Sequence, residues 1–206
     1  GGGGFSFGGG GFGGGFGGGS RANAPMRGED LRVRLTISFE EAVFGCKKDI
    51  KYSRVERCDT CGGTGKVIKN PCKSCRGTGA VRKARKIKVK IPAGIDNDQI
   101  ISVAGQADVG KNGGPNGDLL VVTHIKKHKL FTRQGYDIIC DLPITFVEAA
   151  LGAEVQVPTI DGKVTYNVPE GTQTGTVFRL RGKGVPKLHG NGARGDQYVK
   201  INIEIP

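Results

Sequence analysis

Two stretches of this chain are near-copies of each other, and that repeat constrains the fold more than any other feature. Leu35-Thr-Ile37-Ser-Phe39-Glu-Glu41-Ala42-Val-Phe-Gly45 matches Leu142-Pro-Ile144-Thr-Phe146-Val-Glu148-Ala149-Ala-Leu-Gly152 at an offset of 107. Ile91-Pro92-Ala-Gly94, Ile100 and Gly105 match Val168-Pro169-Glu-Gly171, Val177 and Gly182 at an offset of 77. Similarity at fixed spacing marks repeated supersecondary units. The offsets differ by 30, so the first copy carries about thirty extra residues between its matched blocks. The turns Gly117-Asp118 and Gly195-Asp196 keep the register. Two homologous domains therefore stand in tandem, and the first holds an insertion.

The units are built of strands. Leu31-Arg-Val33-Arg-Leu35-Thr-Ile37-Ser-Phe39 alternates apolar and polar residues, as a half-buried strand does, and Lys86-Ile87-Lys-Val89-Lys-Ile91 repeats the pattern up to Pro92. Asp118–Thr123 and Gln197–Ile205 are further strands, with helical turns only at Glu40–Phe44 and Val147–Leu151. Turn-forming runs such as Asn112-Gly113-Gly114-Pro115-Asn116-Gly117 punctuate them. The predicted fold is mainly β: two tandem β-sandwich-like domains with a small module inserted in the first.

The insertion contains Cys58-Asp-Thr-Cys61-Gly-Gly-Thr-Gly65 and Cys72-Lys-Ser-Cys75-Arg-Gly-Thr-Gly79, two Cys-x-x-Cys-x-Gly-x-Gly motifs ten residues apart. Two residues between cysteines let one tight turn aim both sulfurs at a single ion, and four thiolates complete a closed, structural zinc site. The predicted ligands are Cys58, Cys61, Cys72 and Cys75, holding one Zn2+. A thioredoxin-like redox pair belongs at a strand-to-helix junction, which two glycine-flanked copies do not resemble. Disulfides suit a short secreted chain, and no signal-like apolar segment is present. Cys46 and Cys140 sit in or beside apolar strand patterns and read as small buried hydrophobes.

The formal charge of +12 is concentrated. Between Thr60 and Ile95 there is no acidic residue, against ten lysines and arginines from Lys66 to Lys90. Such a run is a solvated face, a dock for an acidic protein partner, or a phosphate-neutralising surface. It offers no aromatic residue for base stacking, which disfavours nucleic acid, the alternative function. Residues 1–20 are glycine with Phe5, Phe7, Phe12, Phe16 and two serines, a composition that cannot offset its ordering entropy and reads as a flexible tether. No apolar run is long enough to span a membrane. His124, His128 and His189 are scattered and read as surface or turn histidines. No nucleophile, triad or phosphate-binding loop suggests an enzyme.

Together the Gly/Phe tether, the cysteine motifs and the paired β-domains resemble class A J-domain co-chaperones, the DnaJ family. Ser38-Phe-Glu-Glu-Ala42, Pro92-Ala-Gly94 and Gly117-Asp-Leu119 carry the likeness, which covers essentially the whole chain and looks closest to bacterial members. The resemblance implies a tether and linker at 1–28, a first β-domain at 29–127 with the zinc module inserted at about 56–85, and a second β-domain at 128–206. It implies a cytoplasmic chaperone that binds extended hydrophobic segments of unfolded proteins and, in intact members, works with a DnaK-type partner.

Three departures qualify that expectation. The His-Pro-Asp tripeptide of the J-domain, which stimulates the partner's ATPase, is absent. Two cysteine motifs stand where the family carries four, so one zinc site of two remains. The helical dimerisation segment does not follow the second domain, which implies a monomer. By strand position, the resemblance places the client groove at Leu35, Ile50, Tyr52, Ile87 and Phe131.

Overall fold

A computed structural model describes residues 24–67 and 70–205; the expected tether at residues 1–20 lies outside them. The first copy comprises β1 (Leu31–Ile37), α1 (Phe39–Phe44), β2 (Cys46–Arg57), β3 (Lys66–Val67), β4 (Asn70–Pro71), β5 (Ala80–Ile91), β6 (Ile100–Val103) and β7 (Leu119–Ile125). The second comprises β8 (Phe131–Gln134), β9 (Asp137–Thr145), α2 (Phe146–Leu151), β10 (Ala153–Thr159), β11 (Gly162–Val168), β12 (Val177–Leu180) and β13 (Gln197–Glu204). The protein is mainly β.

The alternation through Phe39 does not continue as strand. Ser38 stops it by capping α1: its side chain accepts from the Glu41 backbone N–H, while the Glu41 carboxylate accepts from the Ser38 N–H. Thr145 and Glu148 form the same reciprocal box at α2. Each box satisfies donors that a six-residue helix would otherwise leave without partners.

The repeat holds in topology as well as in sequence. In the first copy β1 runs parallel to β7, which pairs antiparallel with β6; in the second, β9 runs parallel to β13, which pairs antiparallel with β12. Both copies add an antiparallel hairpin, β2–β5 and β10–β11. Cys46 faces Ile91 in the first hairpin and Ala153 faces Val168 in the second, residues related by the two sequence offsets. Where β10 and β11 close directly from Thr159 to Gly162, β2 and β5 are extended and carry the cysteine module between Arg57 and Ala80.

Ile50, Val89 and Ile91 of the first hairpin join Ile37, Leu119 and Val121 of its sheet in one buried cluster. The Tyr52 hydroxyl donates to the Gln106 carbonyl (2.6 Å), pinning the hairpin to a loop. Between the copies, the guanidinium of Arg133 donates to the carbonyls of Gly94 and Ile95, and within its own copy to that of Gly135. His128 is not a simple surface histidine. Its ring lies 5.5 Å from Phe39 and 4.7 Å from Phe131. Nδ1 accepts from the Leu130 N–H, and Nε2 sits 2.7 Å from Glu40 Oε1. Among the described residues no helix is long and apolar enough to cross a membrane.

Candidate metal centre and strand edge

The four motif cysteines converge at the tip of the first hairpin. Their sulfurs all lie within 4.8 Å of one another; Cys58 and Cys72 are 3.9 Å apart, Cys61 and Cys75 3.8 Å. Four thiolates each about 2.3 Å from a tetrahedral zinc would be separated by about 3.8 Å, so the spacing suits that ion. Cys58, Cys72 and Cys75 are buried and Cys61 half-buried.

Two knuckles of identical design make the site. The Gly63 N–H donates to the Cys58 carbonyl and the Gly77 N–H to that of Cys72. The Gly65 N–H donates to Cys61 Sγ (3.3 Å), and the Gly79 N–H to Cys75 Sγ (3.2 Å). Thr64 and Thr78 hydroxyls donate to the carbonyls of Cys61 and Cys75. The knuckles also close on each other: the Cys58 N–H donates to the Gly79 carbonyl, and the Cys72 N–H to that of Gly65. Gly65 and Gly79 both hold φ at 77°. A Cβ on Gly65 would collide with the Gly77 carbonyl, and one on Gly79 with that of Gly63. The motif's last glycine thus gives its sulfur a donor and leaves room for the opposite knuckle.

Burial pushes the Cys61 thiol up, but the Gly65 and Gly63 N–H groups, with the Cys58 and Cys75 sulfurs, outweigh it and bring its pKa down to about 6. Cys75 is also lowered, burial being outweighed chiefly by the Gly79 N–H. Cys72 moves the other way: the Cys75 N–H lowers it, but burial and the Cys75 and Cys58 sulfurs raise it on balance, so the thiolate is favoured at Cys61 and Cys75 and not at Cys72.

The five groove residues are distributed differently. Ile50 and Ile87 face each other across the first hairpin. Ile50, Tyr52 and Phe131 are buried at 3%, 9% and 6% exposure, while Leu35 and Ile87 are half-buried. Phe131 begins β8, hydrogen-bonded into the second copy's sheet opposite Cys140, with its ring 6.1 Å from Phe39 of α1.

Sequence reasoning missed the edge on which Leu35 lies. In the second copy β9 is flanked on both sides, by β13 and by β8. In the first copy the equivalent strand, β1, pairs with β7 alone among the described residues. Residues 24–27, which hold the place of β8 at the 107 offset, run instead along the 111–115 loop; Met26 and Lys111 exchange backbone hydrogen bonds. The consequence is visible in burial. Ile138, Cys140 and Leu142 of β9 are buried, whereas Leu31, Val33 and Leu35 of β1 are half-buried.

The profile of the DnaJ C terminal domain matches residues 31–206, nearly all of the described chain. The chain is 45% identical to the chaperone protein DnaJ of Acetivibrio thermocellus over 91% of its length, and 48% identical to that of Ruminiclostridium cellulolyticum over 88%. Against the chaperone protein DnaJ of Clostridium kluyveri it is 47% identical over 98%. This chain belongs to the DnaJ family. It spans 59%, 59% and 63% of the lengths of these three relatives. The match to the DnaJ C terminal domain runs through both copies and includes the cysteine knuckles.

Proposed function

We propose that this chain is a client-holding chaperone segment that takes an extended apolar stretch of a non-native protein as an added strand on β1. The observation that carries this reading is the contrast between the two copies. Among the described residues, a strand occupies the outer edge of β9 and none occupies that of β1. Edge addition draws its affinity from main-chain hydrogen bonds, which any unfolded chain can offer, and its selectivity from alternate side chains. β8 supplies the template: antiparallel, with Phe131 opposite Cys140, the equivalent of Val33. A client would therefore lie antiparallel to β1 with an apolar side chain opposite Val33. Leu31, Val33 and Leu35 would line the contact, with Ile87 and the buried Ile50, Tyr52 and Phe131 belonging to the core beneath and beside it.

The zinc module is structural in this reading. Cys58, Cys61, Cys72 and Cys75 hold one Zn2+, which ties the two knuckles together and offers no open coordination position. The chain is not an enzyme. Its 206 residues contain no His-Pro-Asp tripeptide, so these residues do not themselves stimulate the ATPase of a DnaK-type partner.

The test is fluorescence anisotropy with a labelled apolar peptide and the same peptide N-methylated at alternate residues. Strand addition predicts binding that survives high salt and falls by about tenfold or more on N-methylation, because the methyl groups remove backbone donors. Equal affinity for the two peptides would overturn it. An oligonucleotide run in parallel addresses the alternative, since phosphate neutralisation weakens steeply with salt.

A further inference from the structure

The outer face of the β2–β5 hairpin is used by neither the metal centre nor the β1 edge. Successive residues of a strand point to opposite faces. Lys47 and Lys51 of β2, with Arg82, Lys86, Lys88 and Lys90 of β5, therefore share one exposed face. The register sets Lys47 opposite Lys90 and Lys51 opposite Lys86. Like charges directly opposed destabilise a strand pair. Asp49, 3.5 Å from Lys86, is the one carboxylate that the two strands place on this face.

The second copy is an internal control. Its hairpin keeps the same register, and at the equivalent positions Glu154 faces Asn167, Gln156 faces Thr165 and Pro158 faces Lys163. The fold builds this hairpin without a basic face. The basic face of the first copy is therefore not a requirement of the fold.

We infer that this face docks an extended acidic segment of a partner protein. Lys86, Lys88 and Lys90 recur every second residue, about 7 Å apart, the interval between alternate side chains of another extended chain. A strand edge is available beside them. The outer edge of β2 is met at Val55, where Asp108 accepts from the Val55 N–H and the Val109 N–H donates to the Val55 carbonyl. No described residue pairs with the outer edge of β5. An acidic segment laid there gains backbone pairing and a row of carboxylate–ammonium contacts in one register. The face carries no aromatic side chain on which a base could stack, which sets nucleic acid behind an acidic chain.

The experiment measures the anisotropy of a labelled peptide of alternating glutamate and valine against this chain and against Lys88→Glu/Lys90→Glu. A second variant, Lys51→Glu, covers the β2 side. Binding that weakens with salt and drops by about tenfold or more in the double variant is expected. Zinc content and binding of an uncharged apolar peptide should be unchanged, which separates this face from the β1 edge. Equal affinity in wild type and both variants would refute the proposal. So would capture of oligothymidylate with no binding of the acidic peptide, since the face would then be a phosphate surface.

Discussion

At the scale of single residues, the metal centre depends as much on its glycines as on its cysteines. Gly65→Ala would force a side chain into a left-handed conformation and against the Gly77 carbonyl. We expect zinc affinity, measured by competition with a chromogenic chelator, to fall by about tenfold or more, because outer contacts of this kind orient the ligands. Gly62 offers the comparison: its φ is 65°, but the space around its Cβ position is open. Gly62→Ala therefore tests backbone strain without the clash, and should lower zinc affinity less than Gly65→Ala does. In zinc-stripped, reduced protein, alkylation of Cys61 followed by mass spectrometry should titrate with a midpoint near 6. Because the folded-state pKa is depressed, the associated stabilisation is complete above the ordinary thiol range and is lost as pH falls through about 6. The cysteine spacing made the four-cysteine cluster legible in the sequence. The cross-knuckle hydrogen bonds were not, since they depend on the two motifs meeting face to face.

At the scale of elements, the short helices and the strands with clean alternation could be read directly. Of the long hairpin, only Lys86–Ile91 could. Cys46–Arg57 shows apolar residues on its inner face only at Cys46, Ile50 and Tyr52, and in the first half of β5 the inner face has Val81 followed by Lys83 and Arg85. The reason lies in what that end of the hairpin packs against. Glu56 accepts from both Arg54 and Arg85, so an ion cluster replaces apolar packing on the inner face towards the metal module. The groove residues divide on the same basis. Leu35→Asp adds a charge at a half-buried position on a strand whose outer edge no described residue pairs, and should weaken apolar-peptide binding by about tenfold while leaving the fold intact. Ile50→Asp puts a charge at 3% exposure and should destabilise the domain by several kcal/mol, on the order of 3 or more. Thermal unfolding and peptide titration of the two variants distinguish an edge residue from a core residue. Nothing in the sequence of β1 alone tells that no other described strand lies on its outer edge; the repeat tells it only once β8 is seen beside β9.

For the whole molecule, the tandem architecture predicts how far the metal's influence reaches. The second hairpin closes through a plain turn from Thr159 to Gly162, so the shared fold does not need the insertion. Chelation of zinc should free the two knuckles from each other and loosen the distal end of β2–β5, while each knuckle keeps its own N–H-to-sulfur contact. The main thermal transition, followed by far-ultraviolet circular dichroism, should then move by only a few degrees, about 5 °C or less. Loss of the entire transition would mean that the module is integral to the first domain. The repeat was legible from two sequence offsets, but the junction was not. Arg133, which binds the Gly94 and Ile95 carbonyls across it, has no counterpart that the repeat could have flagged, because Met26 stands at the equivalent position.

β8 also sets a stoichiometry. It is joined to β9 by the two residues Gly135 and Tyr136, so it competes for that edge as an intramolecular ligand at very high local concentration. A free peptide cannot displace it at ordinary concentrations. Of the two equivalent edges, on β1 and on β9, only that of β1 is therefore exchangeable, and an uncharged apolar peptide should saturate at one per chain.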